Sequence, residues 1–485
     1  MTAVGRDRLV LAAILALAAG LRLIALPRRG EWDDDQGIEM LAMLGWVRDG
    51  RIPLLGPVSS APTVHHGAWF YWILAPGAFA TDAHPMAAVA TLAVIGIGGV
   101  AAAWWLGRTV GGPLAGHLTG LLMAVSPAAI TASTYVWNAN IVAPGAALAS
   151  AAAWRAWRTR RARWWLLSAA GGVLMLSGHL LAAVALPSFA ALMAADLLRR
   201  PRSEWPWLPM LGAIGIVTVG YLPSLVQWRA VVHFLATHYP GGPSLSARLV
   251  VISRRVLAWP VSGFADSAPW AGWLTALLTL ATLVVTIQRA GLTRQFGCWA
   301  AATTGWSVLA LAVLAPTLAT PFAGLPTDQY HAWLEPILLA AIGTAGAQLW
   351  RTKVVATALV GACIALSLIS LPPLSSPDGG WPRAAATATR IRAVTGDHTV
   401  AVAGVGKSGA ALEFPLRRAH SPGAGFAAAE FLVVTCDPLF FRVSVLPCGG
   451  QAEAAAAREL GFPRARVVDR FADGPRRVVS IFASR

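Results

Sequence analysis

Residues 86–106 read MAAVATLAVIGIGGVAAAWWL and contain no charged side chain. A helix of about 20 predominantly apolar residues is long enough to cross the hydrocarbon core of a bilayer. Ten further blocks predict helices of the same kind, at 9–26, 113–134, 139–157, 164–179, 181–197, 207–226, 270–288, 297–315, 334–350 and 354–371. The chain is therefore predicted to be a multi-span α-helical membrane protein with about eleven transmembrane helices.

The composition and the placement of charge support this prediction. Of the 485 residues, 56% are hydrophobic and 12% are charged, whereas soluble domains contain about 25% charged residues. The net charge of +16 could suggest a nucleic-acid ligand, but the basic residues are concentrated in alternate connections: Arg6 and Arg8, Arg108, Arg155 to Arg163, Arg199 to Arg202, Arg289 and Arg294, and Arg351 and Lys353. Because such an excess marks the cytoplasmic side, the N-terminus is predicted to be cytoplasmic and no nucleic-acid partner is expected. An odd number of spans in the plasma (inner) membrane then places the C-terminal domain outside.

Three connections are long, and this topology places all of them on the outer side: Pro27–Pro85, Gln227–Pro269 and Pro316–Trp333. The first contains a helical pattern at Ile38–Asp49 and an apolar stretch, Ala68–Phe79, that is too short to span. Long connections without evident structure of their own are commonly functional. We therefore expect the chemistry of the protein on the outer face.

The character of the chain changes after Leu371. A linker at 372–383, rich in proline, serine and glycine, separates the membrane domain (1–371) from a small extracytoplasmic α/β domain (384–485). Its pattern predicts helices at Ala384–Val394 and Gln451–Leu460 and strands at Thr399–Ala403, Phe431–Thr435, Arg466–Phe471 and Val478–Phe482. The string GVGKSG at 404–409 is predicted to be a turn, because a phosphate-binding loop requires glycine where Ala401 stands.

The four cysteines fall into two groups. Cys298 and Cys363 lie within predicted spans and are expected to be packing residues. Cys436 and Cys448 lie in the outer domain, where an oxidising compartment makes a disulfide plausible. The sequence does not supply the distance between them, so the bridge is left open.

The acidic cluster Asp33-Asp34-Asp35 follows directly after the first predicted span. Three adjacent carboxylates repel one another unless a cation compensates them. A carboxylate near the membrane surface can act as a general base on a hydroxyl or ligate a hard cation through oxygen. A solvated acidic loop without chemistry is the alternative interpretation.

The cluster stands in an ordered series of motifs: Arg22, Asp35-Gln36-Gly37, a helix ending at Gly50, LLGPVSS at 54–60, HHGAWFYWILAP at 65–76 and SPAAITASTYVWNAN at 126–140. Over these roughly 120 residues the chain resembles the GT-C superfamily of glycosyltransferases that use lipid-linked sugars. Within it, the protein O-mannosyltransferase and aminoarabinose-transferase branch is the most similar. The multi-span layout with a soluble outer domain also fits this superfamily.

The resemblance implies an inverting glycosyltransferase that moves a sugar from a polyprenyl-phosphate donor to a hydroxyl of an extracytoplasmic glycan, lipid or protein. Asp35 is the implied general base, with Asp34 in support. The implied substrate-binding residues are Arg22, His65, His66, Tyr71, Asn138, His331 and Glu335. No cofactor is required, although a divalent cation on Asp33, Asp34 and Asp35 is an option. Membrane lipid is the other expected partner.

Three departures from the family pattern keep other interpretations open. The usual Asp-Glu pair is Asp35-Gln36 here, the usual His-Pro pair is His66-Gly67, and an Arg-Tyr pattern appears as Tyr330-His331. A non-catalytic scaffold for envelope assembly that has lost the acid pair is one alternative. A flippase or transporter of lipid-linked sugars is another, but it would be expected to carry polar residues within its spans. These spans are nearly free of charge, which favours the enzyme.

Overall fold

The computed structural model describes residues 3–59, 64–225, 227, 229–230, 243–263, 269–315, 318–319, 328–405, 409–436, 447–462, 466–474 and 477–483. The described residues up to 371 form a helical bundle. Its helices are α1 (Ala3–Leu23), α2 (Asp34–Asp49), α3 (Trp69–Thr81), α4 (Pro85–Val125), α5 (Pro127–Thr131), α6 (Val142–Thr159), α7 (Arg163–Gly178), α8 (Leu186–Leu198), α9 (Trp207–Leu225), α10 (Leu245–Ser262), α11 (Pro269–Ile287), α12 (Gly291–Leu314), α13 (Glu335–Gln348) and α14 (Lys353–Ile369).

The long element α4 consists of two antiparallel helices joined at Gly112. This residue has a φ of 86°, a backbone conformation that glycine adopts without the steric cost of a Cβ. The two halves approach closely at Gly107 and Gly116, where a Cβ would overlap the Thr119 side chain and crowd Arg108, respectively. The predicted spans 86–106 and 113–134 correspond to this hairpin, although its second helix ends at Val125.

Five helical segments in the described ranges are long and apolar enough to cross a membrane: Pro85–Val125, Leu180–Leu198, Trp270–Ile287, Gly291–Leu314 and Tyr330–Arg351. They confirm the multi-pass helical architecture, while the number of eleven spans stays a prediction. Shorter apolar helices at Trp207–Gly220 and Lys353–Ile369 accompany them.

Arginines of separate connections meet at one end of the bundle. Arg108 forms an ion pair with Asp7 of α1 at 2.6 Å. The guanidinium of Arg199 lies 4.0 Å from the centre of the Trp157 ring. Arg158 donates to the Thr109 carbonyl oxygen at 3.0 Å. The basic residues of three predicted cytoplasmic connections therefore share one face.

The connection Gln227–Pro269 contains a helix that its sequence pattern does not predict, so the expectation of a long loop without structure there is wrong. Helix α10 begins after Ser244, whose hydroxyl accepts the Ala247 N–H at 3.3 Å, and packs against α11 and α12. Its Arg255 is buried and donates to the Leu318 carbonyl oxygen at 2.7 Å. Arginines within the helix lower its hydrophobicity, which concealed it from a search for apolar blocks.

The C-terminal part forms a small α/β domain, as predicted. Its strands β1 (Val400–Val405), β2 (Phe431–Cys436), β3 (Arg466–Asp473) and β4 (Arg477–Ala483) lie in the order β1-β2-β4-β3. Strands β1 and β2 are parallel, and β4 is antiparallel to both of its neighbours. The helices are α15 (Gly380–Thr395), α16 (Gly409–Arg418) and α17 (Gln451–Glu459). Helix α15 thus begins within the last residues of the segment expected to be a linker.

The cysteines of the two domains differ in state. Cys436 and Cys448 are joined by a disulfide, with their Cα atoms 5.6 Å apart. Cys363 is buried as expected, but Cys298 is exposed on α12, so the packing role expected for it is wrong. Of the string GVGKSG, residues 406–408 lie outside the described residues. Strand β1 ends before them and α16 begins after them.

Candidate active site

The acidic cluster forms the start of α2. Asp33 is the residue before the first turn, and its backbone N–H donates to Gln36 Oε1 at 2.8 Å. This contact is one half of a capping box, a motif whose fourth position is glutamate or glutamine. Gln36 is buried. The amide that departs from the family's Asp-Glu pattern therefore has a structural partner of its own.

The carboxylate of Asp34 contacts the C-terminal α/β domain, which is called the outer domain because the predicted topology places it outside. Its Oδ1 accepts the backbone N–H of Ala410 at 2.8 Å, in the first turn of α16. A carboxylate is favoured there because the first N–H groups of a helix lack partners within the helix. A Cβ at Gly37 would overlap the Ala410 carbonyl, so glycine is required for this close approach. Asp34, predicted to support the base, thus joins the first loop to the outer domain.

Aromatic packing strengthens the same junction. The indole of Trp32 is buried, donates to the Ala411 carbonyl oxygen at 2.8 Å, and lies with its ring centre 4.7 Å from that of Trp381 and 5.6 Å from that of Phe414. Farther along α2, Arg48 donates to the carbonyl oxygen of Arg417 at 2.9 Å. The outer domain is therefore held over the whole length of α2.

Asp35 lies one helical turn before Glu39, a residue that sequence reasoning missed. Burial raises the pKa of Glu39 to about 8, against a lowering by the hydrogen bond from Tyr71, and Asp35 raises it further. Asp35 also interacts electrostatically with Tyr135. Glu39 Oε2 has no hydrogen-bond partner among the described residues. The sequence did contain a signal for Glu39: this acid follows Asp35 by four residues and lies on the face of α2 that carries Met40 and Met43.

Tyr71, a predicted substrate-binding residue, is the hydrogen-bond partner of Glu39. It lies on α3 and is 4% exposed. Burial, followed by the charge of Glu39 and the hydrogen bond to it, raises the pKa of the Tyr71 phenol far above its ordinary value. The phenol therefore stays protonated and donates to the carboxyl group.

A second group of predicted residues lies inside the bundle. Arg22 is fully buried at the end of α1, and its Nη atoms donate to the carbonyl oxygens of Ala124 at 3.0 Å and Met123 at 3.1 Å. Glu335, at the start of α13, attracts Arg22 electrostatically and accepts the Ser126 hydroxyl at 2.5 Å. Arg22 thus binds the C-terminal end of α4, and its Nε has no hydrogen-bond partner within the described ranges.

The histidines form a third group. His66 Nδ1 accepts the Leu180 backbone N–H at 3.3 Å, which leaves the proton on Nε2. Burial lowers the pKa of His66 to about 4, with the charge of His65 as the smaller cause, so the ring is neutral at pH 7. Its centre lies 5.1 Å from that of His179, which lies 4.6 Å from that of Tyr330.

Contacts with neighbouring residues account for the positions of His65, Gly67 and His331. His65 donates its backbone N–H to Gln227 Oε1 at 2.7 Å. A Cβ at Gly67 would overlap the Ser177 hydroxyl, so the second residue of the His66-Gly67 pair has no room for a side chain. His331 is fully buried, with its ring centre 5.7 Å from that of Trp259.

The segment 126–140 contacts all three groups, namely the acids of α2, the buried Arg22 and Glu335, and the histidines. Ser126 contacts Glu335, Tyr135 interacts with Asp35, and Asn138 Nδ2 donates to the Gly178 carbonyl oxygen at 2.6 Å next to His179. Asn138 therefore supports the backbone at the end of α7. Among the described residues, no group of three or more His, Cys, Asp or Glu side chains could hold a metal ion together.

Comparison with known proteins identifies the fold. No family model and no curated protein sequence matches the chain. ArnT from Cupriavidus metallidurans in the apo state is 15% identical, with a TM-score of 0.59 over 99% of this chain and 98% of that chain. ArnT bound to undecaprenyl phosphate is also 15% identical, with a TM-score of 0.56 over the same shares.

The arabinofuranosyltransferase AftD from mycobacteria is 14% identical, with a TM-score of 0.51 over 100% of this chain. The alignment covers 42% of AftD, so the chain spans less than half of that protein. ArnT, an aminoarabinose transferase, and AftD are GT-C glycosyltransferases. The chain has the GT-C fold.

Proposed function

We propose that this chain is an inverting glycosyltransferase that moves a sugar from a polyprenyl-phosphate donor to a hydroxyl of an extracytoplasmic glycan, lipid or protein. The observation that carries the proposal is the fold shared with ArnT along the whole length of both chains. One of the ArnT structures contains undecaprenyl phosphate, which supports a lipid-phosphate donor here. The enzyme would work in the plasma membrane, with its outer domain on the acceptor side.

Asp35 is the proposed general base. Its carboxylate takes the proton of the acceptor hydroxyl while the hydroxyl oxygen attacks the anomeric carbon of the sugar. The bond between that carbon and the phosphate oxygen breaks, and the polyprenyl phosphate leaves with the electron pair. The leaving phosphate is acidic enough to depart without a proton, so the site needs a base but no general acid.

The contacts at the start of α2 support Asp35 over its neighbours. Asp34 is engaged with the Ala410 N–H, and Gln36 accepts the Asp33 N–H. Glu39 has a pKa of about 8, so it carries a proton at pH 7 and is a poor base there. Asp35 is the acid of the Asp35-Gln36-Gly37 motif and is therefore the carboxylate of α2 that we propose accepts the proton of the acceptor hydroxyl.

Arg22 is the proposed cation on the phosphate side: its Nη atoms are engaged with carbonyl oxygens, so it would act through its charge and its Nε–H. His66 is neutral at pH 7 and can contribute a hydrogen bond from Nε2, but no charge. His65, Tyr71, Asn138, His331 and Glu335 would complete the donor site. For Asn138, Tyr71 and Glu335 we propose an indirect role, because each already bonds another group of the protein.

The test is transfer of labelled sugar from polyprenyl-phosphate donors to native membrane acceptors by the purified full-length protein. Replacing a general base typically costs about 10²–10⁴-fold in rate, and we expect a loss of that order for Asp35→Asn. Asp49→Asn is the matched control, because Asp49 is an exposed acid at the other end of α2 that pairs with Arg51.

Consumption of the donor by wild type and by the control, but not by folded Asp35→Asn, would support the mechanism. Equal rates in wild type and Asp35→Asn would refute Asp35 as the base. If no donor is consumed but labelled donor crosses the bilayer of reconstituted vesicles, the protein is a flippase. If neither occurs, the scaffold interpretation is favoured.

A further inference from the structure

A cleft of about 390 Å³ opens at the end of the bundle opposite the first loop. Helix α1 shows where the cleft lies. Near the cleft, Asp7 of α1 pairs with Arg108, whereas Arg22 of α1 contacts the C-terminal end of α4, away from the hairpin turn. Asp7 and Arg22 are fifteen positions apart on α1, which corresponds to about 22 Å along the helix. The cleft is thus remote from Asp35, Glu39 and the histidines.

The polar side chains that line the cleft are hydrogen-bond donors. Arg158 and Arg199 supply two guanidinium groups, and Gln295 supplies an amide. Gln295 Oε1 already accepts the Trp157 indole N–H at 3.0 Å, so the Nε2 group is the part of this amide that remains for a ligand. No carboxylate is among the described residues that line the cleft.

The two guanidinium groups are held in place by the fold. Arg199 stacks on the Trp157 ring at 4.0 Å. Arg158 donates from one Nη atom to the Thr109 carbonyl oxygen. Because a guanidinium has five N–H donors in total, this bond occupies only a part of them. Arginines that serve only to orient the chain in the membrane have no need to converge, yet these two come from different connections to one cleft.

The α4 hairpin adds a further favourable feature. Gly112 lines the cleft at its turn, and the space beyond its Cα is open. The second helix of the hairpin starts here, with Pro113 at its beginning, and an anion is stabilised at the start of a helix by the unpaired N–H groups and the helix dipole. Two cations, an amide and a helix start therefore surround the same space.

We propose that this cleft binds a phosphate-bearing anion, and that its source is the headgroup of an anionic membrane phospholipid. Guanidinium groups match phosphate oxygens in geometry and charge. The Trp157 ring and Leu292 beside the arginines provide apolar surface for the start of the acyl chains. Basic pockets between helices on the cytoplasmic side are suited to anionic headgroups, and the predicted topology places this end in the cytoplasmic leaflet.

The experiment is native mass spectrometry of the full-length protein, titrated with phosphatidylglycerol and, separately, with phosphatidylcholine. The test variant is Arg158→Gln/Arg199→Gln. The control is Arg161→Gln/Arg294→Gln, which removes the same charge from exposed residues at the same end that do not line the cleft. In a third arm, inorganic phosphate is added and the melting temperature is measured. Arg199→Gln alone, at an exposed position, serves if the double variant does not fold.

We expect the cleft variant to bind phosphatidylglycerol about tenfold more weakly or worse, because it loses both guanidinium groups that can donate to the phosphate oxygens. The control should bind like wild type. Equal weakening in both variants would overturn the cleft and leave only a general effect of surface charge. Stabilisation by inorganic phosphate without preference for phosphatidylglycerol over phosphatidylcholine would overturn the lipid as the source of the anion.

Discussion

Replacing Glu39 by glutamine removes an ionisable group from α2 without changing the shape of the side chain. Glu39 is 3% exposed and hydrogen-bonded to Tyr71. A glutamine has the same length, and its Oε1 can accept the same phenolic hydrogen bond. The substitution therefore removes ionisation while it preserves packing.

The size of the effect follows from the pKa of Glu39. Burial raises this pKa from 4.5 to about 8 in the folded protein, so between these pH values the folded state binds more protons than the unfolded state. The stability that this contributes is fully present below pH 4.5 and is lost as the pH rises to 8. At about 1.4 kcal/mol per pH unit, the loss between pH 4.5 and pH 7 is about 3 kcal/mol. Glu39→Gln should be more stable than wild type at pH 7 by up to this amount.

The assay is the melting temperature of wild type and Glu39→Gln in detergent from pH 4.5 to pH 8.5. The two proteins should melt together near pH 4.5, and the advantage of the variant should grow towards pH 8. Glu459→Gln is the control, because Glu459 is exposed at the end of α17. Parallel curves for wild type and Glu39→Gln would show that Glu39 ionises normally in the folded protein, and the argument from burial would be refuted.

Two further predictions concern the contacts of Arg22 and Asp34. Arg22→Met should lower the free energy of unfolding by about 1–3 kcal/mol, because it leaves the buried carbonyl oxygens of Met123 and Ala124 without their donor. Arg22→Lys, which keeps a donor, should lose less; equal melting temperatures in all three proteins would contradict this. Asp34→Ala should lower the free energy of unfolding by about 1 kcal/mol, because the hydrogen bond from the Ala410 N–H is lost, and it should speed limited proteolysis of the outer domain. Asp34→Asn keeps an acceptor oxygen and should be cleaved like wild type.

Much of the architecture could be predicted from local pattern. Blocks of about 20 apolar residues indicate helices because the bilayer core leaves backbone groups no other partners. The strands of the outer domain were recognised within a few residues. Helix α10 was missed because Arg248, Arg254 and Arg255 interrupt its apolar character, and Arg255 finds its partner, the Leu318 carbonyl, far along the chain.

Less of the candidate site could be predicted from local pattern. The acidic cluster and the two histidines were recognisable by type and order. Their partners were not, because Asp34 bonds Ala410 across 376 positions of the chain and Arg22 bonds Ala124 across 102. A pattern within one segment cannot distinguish a carboxylate that caps a distant helix from one that faces a substrate.

The sequence by itself determined the helical membrane class, the alternation of basic and uncharged connections, and the small C-terminal α/β domain. These properties depend on the transfer of side chains between water and lipid, which is a local matter. Only the tertiary structure decided which acid of the first loop is buried, which one joins the outer domain, and that arginines from different connections meet in one cleft. Burial and hydrogen-bond pairing are properties of neighbours in space, and those neighbours come from distant parts of the chain.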